Sequence, residues 1–205
     1  MSESRILQSL KRSIGFGRRI QHDERGVAAV EFGLIAPVLL LILVIVAEVT
    51  RGVAIDRRLG QVTSMIADLV SREENMSDAD LNAIYSIAGH VMGNWGTDTL
   101  QIEVIPVKAN PTNYADRKVY ATTANRPTYG GVTAKAVCQT YTDLPVAQEF
   151  LPAGSSVIVV ETKYHFTPIF TQTSLVEGDW KDKATFTPRN ACVDFDNDNC
   201  VSACF

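Results

Sequence analysis

Residues 27 to 47, from Val27 to Ala47, form an apolar run whose one charged member is Glu31. Roughly 20 apolar residues at ~1.5 Å rise each are what a ~30 Å hydrocarbon core requires, so a helix over this run is long enough to cross a bilayer. Beyond it the pattern becomes amphipathic. Ile55, Leu59, Val62, Ile66 and Leu69 recur at steps of four and three, which predicts that the same helix runs on to about Arg72 with one buried face. Ser77 followed by Asp80 is a capping-box signal, and Leu81, Ile84, Ala88 and Val91 then predict a second helix ended by Gly93 and Gly96. Past that point the period falls to two. Leu100-Ile102-Val104, Val119-Ala121-Thr123, Ala134-Ala136-Cys138 and Val160-Thr162-Tyr164-Phe166 read as strands, with Thr185 to Thr187 a candidate fifth. Pro106, Pro111, Pro127, Gly130, Gly131, Pro145 and Pro152 punctuate them. The predicted fold class is α+β: a long amino-terminal transmembrane helix continuing into a domain with a second helix and an antiparallel β-sheet, the sheet folded against the amphipathic half of the first helix.

The energetics of the apolar run favour lipid. Fourteen of its residues are Val, Ile, Leu or Phe, and on an insertion scale they contribute about 4 to 8 kcal/mol together. One carboxylate near a helix end costs about 3 kcal/mol or less and does not reverse this. A buried core helix would leave a polar face, and Leu34 to Val46 shows none. Five Lys/Arg fall within residues 7 to 26, against Arg51, Arg57 and Arg58 in the equivalent stretch beyond the run, which puts the amino terminus in the cytoplasm. The predicted organisation is therefore a basic cytoplasmic leader over residues 1–26, a transmembrane helix over 27–48 and an extracytoplasmic α+β domain over 49–205. Its predicted location is a membrane, crossed once, with the domain outside the cytoplasm.

Charge divides unevenly along the chain. Residues 1 to 26 carry six Lys/Arg against three Asp/Glu, and the remainder thirteen against twenty. An acidic body argues against nucleic acid as a partner, because neutralising phosphates needs a clustered cationic surface and none follows Arg58. All four cysteines, Cys138, Cys192, Cys200 and Cys204, lie in the last third of the chain. An even number in an exported segment suggests disulfides, and the spacings C-x7-C and C-x3-C lack the paired short spacing of a zinc ribbon. Three pairings are open.

At the leader boundary the sequence reads Arg25-Gly26-Val27-Ala28-Ala29-Val30-Glu31-Phe32: a glycine, four small or apolar residues, then Glu-Phe. Here the chain resembles the TadE-like family, pseudopilins of the Flp (tight adherence, type IVb) pilus system. Pro37 within the apolar run, Asp68-Leu69-Val70 at the close of the helix and the strand from Val157 to Phe166 add to the similarity. The resemblance implies a pilin-like fold and a non-enzymatic minor pilin or pseudopilin, held in a bacterial inner membrane with its domain in the periplasm. It also implies cleavage by a prepilin peptidase between Gly26 and Val27, and an assembly role for Glu31 and Phe32. Partners so implied are that peptidase, the inner-membrane assembly platform, other pilins and the membrane itself. The physics of the junction agrees. A new amino group on Val27 would lie one helical turn from Glu31, at the helix end where the macrodipole favours an anion. Pro37 lacks an amide hydrogen and crowds the carbonyl of Gly33, which predicts a soft point in the helix that serves either as an assembly hinge or as a tolerated membrane proline.

Enzymatic signatures are absent from the sequence: no P-loop, dinucleotide glycine fingerprint, H-E-x-x-H or G-x-S-x-G occurs. His22, His90 and His165 have no neighbouring nucleophile pattern, and no cofactor is expected. Asp194, Asp196 and Asp198 alternate as a calcium loop begins, but its sixth position is Asn199 rather than glycine and its twelfth is Phe205 rather than glutamate. A cystine-closed polar tail is the better reading. The alternative function is an uncleaved bitopic envelope protein whose outer domain is a binding module. An anchored hydrolase would require a cleft of coupled polar groups around His90 or His165.

Overall fold

In the computed structural model the described residues are 25–93, 97–113, 116–120, 129–144, 152–168, 177–195 and 204–205. The elements in chain order are α1 (Arg25–Arg72), β1 (Asn75–Met76), α2 (Asp78–Met92), β2 (Leu100–Ala109), β3 (Arg117–Val119), β4 (Ser156–Phe166), β5 (Gly178–Phe186) and β6 (Asp194–Phe195). Two compact units divide the chain at Ala47 and Glu48. The described part of the first is the amino-terminal half of α1, which runs through Pro37 without a break in its assignment. The second holds everything else.

In the second unit a four-stranded antiparallel sheet has the order β3-β2-β4-β5. Its even-numbered face carries Leu100, Ile102, Val104, Ile158, Val160, Tyr164 and Phe166 and packs on the helices. From α1 the residues in this core are Ile55, Leu59, Val62, Ile66, Ala67 and Val70. The expected last member, Leu69, is only half-buried, and Val70 takes its place. A strict seven-residue repeat suits a supercoiled seam, whereas a straight helix on a sheet follows 3.6 residues per turn and moves the stripe on by one position. The helix–sheet contact also has a polar member: the Thr63 and Thr162 hydroxyls are 2.6 Å apart and buried. The Thr63 hydroxyl also reaches the carbonyl of Leu59 at 2.7 Å, and the Thr162 hydroxyl that of Asp182 at 3.4 Å.

The helix ends are satisfied by other segments. The Ser71 carbonyl accepts from the Arg189 amide at 3.0 Å, and the Glu74 carbonyl accepts from the Asp194 amide at 2.8 Å, where β1 and β6 pair in parallel. Helix α2 opens on the capping box that its sequence predicts, with the Ser77 and Asp80 side chains each accepting from the other's backbone amide. It closes on Gly93 at φ 60°, and Arg58 donates from α1 to the carbonyl of Val91 at 3.0 Å. Gly96, the second expected stop, lies outside the described residues.

Several strand expectations need correction. β2 continues past Val104 to Ala109 although it contains Pro106. The Pro106 carbonyl accepts from the Tyr120 amide, so its missing N–H also points to the β3 side, just past the end of β3, and the ladder to β4 loses nothing. β5 covers Gly178–Phe186 rather than Thr185 to Thr187. Ala134 to Cys138 is not a strand; Cys138 sits at φ 63°, and the segment rests on the sheet through side chains. β3 stops at Val119, and positions 121 and 123 lie outside the described residues. Gly130 is the one glycine the packing demands: at φ +77°, a Cβ there would stand 2.1 Å from the Leu100 carbonyl oxygen, beside the bridge between Ile102 and Tyr129.

Leu59 is fully buried and Val53 is 42% exposed on the same helix. Leu59→Ala is therefore expected to destabilise the domain by about 3 kcal/mol and Val53→Ala by less than about 0.5 kcal/mol. Urea unfolding of the detergent-solubilised chain, followed by tryptophan fluorescence, checks both.

Candidate functional site: the apolar helix and the outer sheet face

The amino-terminal half of α1 is apolar on every side. Val27, Val30, Leu34, Ile35, Val38, Leu39, Leu40, Leu41, Ile42, Leu43 and Val46 are all exposed, and so is Phe32 at 69%. A soluble core helix would have hidden one face; here none of the most apolar window is covered. Among the described residues it is the one helix long and apolar enough to cross a membrane. Gly26 and Val27 lie in its first turn, and a Cβ built on Gly26 meets nothing within 4 Å. Neither packing among the described residues nor a positive φ calls for glycine there. Glu31 follows Val27 by one turn, exposed amid apolar neighbours, with no hydrogen bond or ion pair among the described residues.

A second polar feature lies on the odd-numbered face of the sheet, away from the helices. One end of that face is a small apolar cluster of Ile105, Val107, Ala109, Val119, Tyr141, Val157 and Val159. The other end is charged. The Lys135 ammonium donates to Glu103 at 3.0 Å and to Glu161 at 2.8 Å, and its amide donates to Glu103 Oε1 at 2.7 Å. Tyr141 donates its hydroxyl to Glu161 at 2.5 Å, and Lys183 reaches both Glu161 and Asp143. Glu103 is buried, so its charge is held by Lys135 rather than by water. Burial alone would lower the Lys135 ammonium, but the hydrogen bonds and charges of Glu161 and Glu103 outweigh it and raise it. Burial pushes Glu161 up, yet Lys135 and Tyr141 more than compensate and hold it below the usual carboxylate range. Tyr141 is raised by burial, by its bond to Glu161 and by the neighbouring carboxylates. The cleft beside this cluster is lined by Gln101, Thr133, Lys163 and Lys181 among others. Sequence periodicity had no means of finding the cluster, since its members come from β2, β4, β5 and an irregular segment.

The structure pairs two of the cysteines. Cys138 and Cys204 form a disulfide across a sequence separation of 66, and closing a loop of that length stabilises by about 4 kcal/mol in the chain-entropy account. Cys192 is disulfide-bonded as well, and Cys200 lies outside the described residues. Of the candidate calcium ligands, Asp194 is buried in β6, while Asp196 and Asp198 lie outside the described residues. Among the described residues no group of three His, Cys, Asp or Glu side chains could hold a metal ion. His165 sits between Asp179 at 2.9 Å and Glu177 at 3.5 Å on an exposed surface, and His90 faces the Ser86 carbonyl of its own helix. His90 also lines a shallow pocket with Asn82, Tyr85, Ser86, Thr97 and Tyr129. His22 lies outside the described residues.

An apolar anchor helix carried on into an α+β domain defines a membrane-anchored protein of pilin-like build. The family model described as TadE-like protein matches residues 26–68, and that match begins at Gly26, takes in Glu31 and Pro37, and ends at Asp68. It is the family that the junction motif resembles, and the matched stretch is about a fifth of the chain. Among curated proteins and among solved structures, nothing matches.

The charged cluster makes a pH-dependent contribution whose sign follows from the shifts. Glu161 is lowered, so its contribution is present above the unfolded carboxylate range and lost as pH falls through the folded value. Lys135 and Tyr141 are raised, so theirs is present below the unfolded values near 10 and lost as pH rises towards the folded ones. Stability should therefore be flat from about pH 5 to 9 and fall on both sides. Lys135→Met is expected to cost about 2 kcal/mol at pH 7 by stranding Glu103, and adding Glu103→Gln to recover part of it; urea denaturation at pH 4, 7 and 10 reads both effects.

Proposed function

We propose that the chain is a non-catalytic minor pilin or pseudopilin of a Tad pilus system. A prepilin peptidase cuts it after Gly26, and the helix beginning at Val27 anchors it in the inner membrane with its α+β domain in the periplasm. The observation that carries the reading is the pairing of two residues the fold itself does not require. Gly26 occupies a helical position with open space where a side chain would be, and Glu31 is a carboxylate among exposed apolar residues with no partner among the described residues. A peptidase that must approach the backbone closely would make use of the first. The second acquires a partner once Val27 carries a free amino group, either its own or that of a neighbouring subunit. A lipid-exposed acid is costly enough that such pairing sets the register between subunits. Phe32 and Pro37 lie on the same stretch and belong to that assembly surface. The partners would be the peptidase, the inner-membrane assembly platform and other pilins.

Mass spectrometry of the protein extracted from membranes of a piliated host is expected to find Val27 as the first residue. An intact Met1 would instead favour the uncleaved binding module. Gly26→Leu should leave the chain full length while its helix remains, since a side chain at 26 has room. Glu31→Ala should be trimmed normally yet be recovered in sheared filaments at less than about a tenth of the wild-type level. Undiminished recovery of that variant would sink the assembly role.

A further inference from the structure

The outer edge of β3 is not bare. Beyond it, residues 138–141 form a short antiparallel ladder: the Val119 amide donates to the Gln139 carbonyl, the Cys138 amide to the Val119 carbonyl and the Tyr141 amide to the Arg117 carbonyl, at 2.8–3.0 Å. Lys118 and Thr140 make the bridge between them. This covering segment begins at Cys138, a non-glycine residue at φ 63° that turns the chain at the end of the ladder. Its sulfur is joined to Cys204, whose carbonyl accepts from the Lys118 ammonium at 3.0 Å and whose neighbour Phe205 lies under the same ammonium at 5.1 Å. The disulfide thus fastens the start of the covering segment to a stretch of chain some 66 residues away that is itself held on β3.

We infer that Cys138 and Cys204 are a modification site, an oxidative latch closed after export by a dithiol–disulfide oxidant, and that closing it is what keeps the β3 edge covered. The chemistry balances within those groups. A thiolate from one cysteine attacks the oxidant's disulfide, forming a mixed disulfide and releasing one of the oxidant's sulfurs as a thiol. The second thiolate then attacks the first cysteine's sulfur, and two electrons and two protons leave with the oxidant as its dithiol. Cys138 is exposed and Cys204 half-buried, so a protein oxidant can reach the pair from outside. An unpaired strand edge is a template for wrong association. A latch that closes only in an oxidising compartment postpones the covered, stable state until the domain has crossed the membrane. The inference rests on the export reading given above.

The test uses the full-length protein in intact cells, with a membrane-impermeant maleimide applied before and after lysis, then denaturation and a second maleimide of larger mass. Neither Cys138 nor Cys204 should be labelled without reductant, and both should be after it. Thiols free and labelled from outside would overturn the latch and leave the export reading standing; thiols labelled only after lysis would overturn the export reading itself. Hydrogen exchange on the detergent-solubilised double variant Cys138→Ser/Cys204→Ser supplies the structural arm. Peptides covering 116–120 and 138–141 should exchange at least tenfold faster than in the wild type, while peptides from the β2–β4 ladder keep their rates. An equal acceleration everywhere, or none at the edge, would overturn the latch.

Discussion

The packing of one helical stripe on one sheet face is the interaction on which the domain depends. Ile55, Leu59, Val62, Ile66 and Val70 are each essentially excluded from water against Leu100, Ile102, Val104, Ile158 and Val160. At roughly 1.5 to 3 kcal/mol for each large aliphatic side chain fully buried, this contact outweighs any polar interaction in the molecule. It also limits what α1 can be. The first half of the helix needs apolar residues on every side to lie in lipid, and the second half must confine them to one stripe. The sequence makes that change within a few residues, where Glu48 and Arg51 enter the helix as an ion-paired couple at 3.7 Å and Gly52 and Ile55 begin the buried stripe. Sheet and second helix follow from the need to cover that stripe.

Legibility in the sequence divides along the same physical line. Wherever burial imposes a period, the elements could be read: the apolar run, the stripe to Arg72, the capping box at Ser77, and the strands starting at Leu100 and ending at Phe166. The misses fall where burial is one-sided or absent. β5 carries Asp179, Lys181, Asp182 and Lys183 because it is an edge strand, and a strand with charges on both faces gives no alternating signal. The Ala134-Ala136-Cys138 alternation mimics a strand although side-chain bonds from Lys135 and a disulfide at Cys138 fix that segment. Such contacts are long-range, and spacing along a chain does not encode them. The disulfide partner of Cys138 was undetermined for the same reason.

The two edges of the sheet are protected by different physics. β5 defends itself through composition. In a two-fold antiparallel pairing centred on Asp182, Asp182 would face itself and Lys181 would face Lys183, and these like charges disfavour a second copy in that register. It also turns Asp182 inward, where its carboxylate oxygen stands 3.3 Å from a Cβ built on Gly60, so a side chain at 60 would press on it. β3 is too short to carry such a defence and is instead covered by residues 138–141. The charged cluster around Glu103 belongs to the same arrangement, since Lys135 and Tyr141 flank Cys138 on the covering segment and pin it to β2 and β4.

The junction at residues 26 to 31 differs in kind from the domain. Elsewhere each unusual residue has a local cause: Gly130 has the Leu100 carbonyl, Pro106 the end of β3, and Glu103 the Lys135 ammonium. Among the described residues Gly26 and Glu31 have none, and a carboxylate at Glu31 would be costly in lipid. Residues that weaken the fold they sit in are accounted for by something outside that fold. In the function proposed above, that is an agent acting on the backbone for Gly26, and for Glu31 a cation that the described residues do not place beside it. On that proposal both would be met by one event, cleavage between Gly26 and Val27, because the same bond that needs an unobstructed backbone would yield an amino group one turn from the carboxylate.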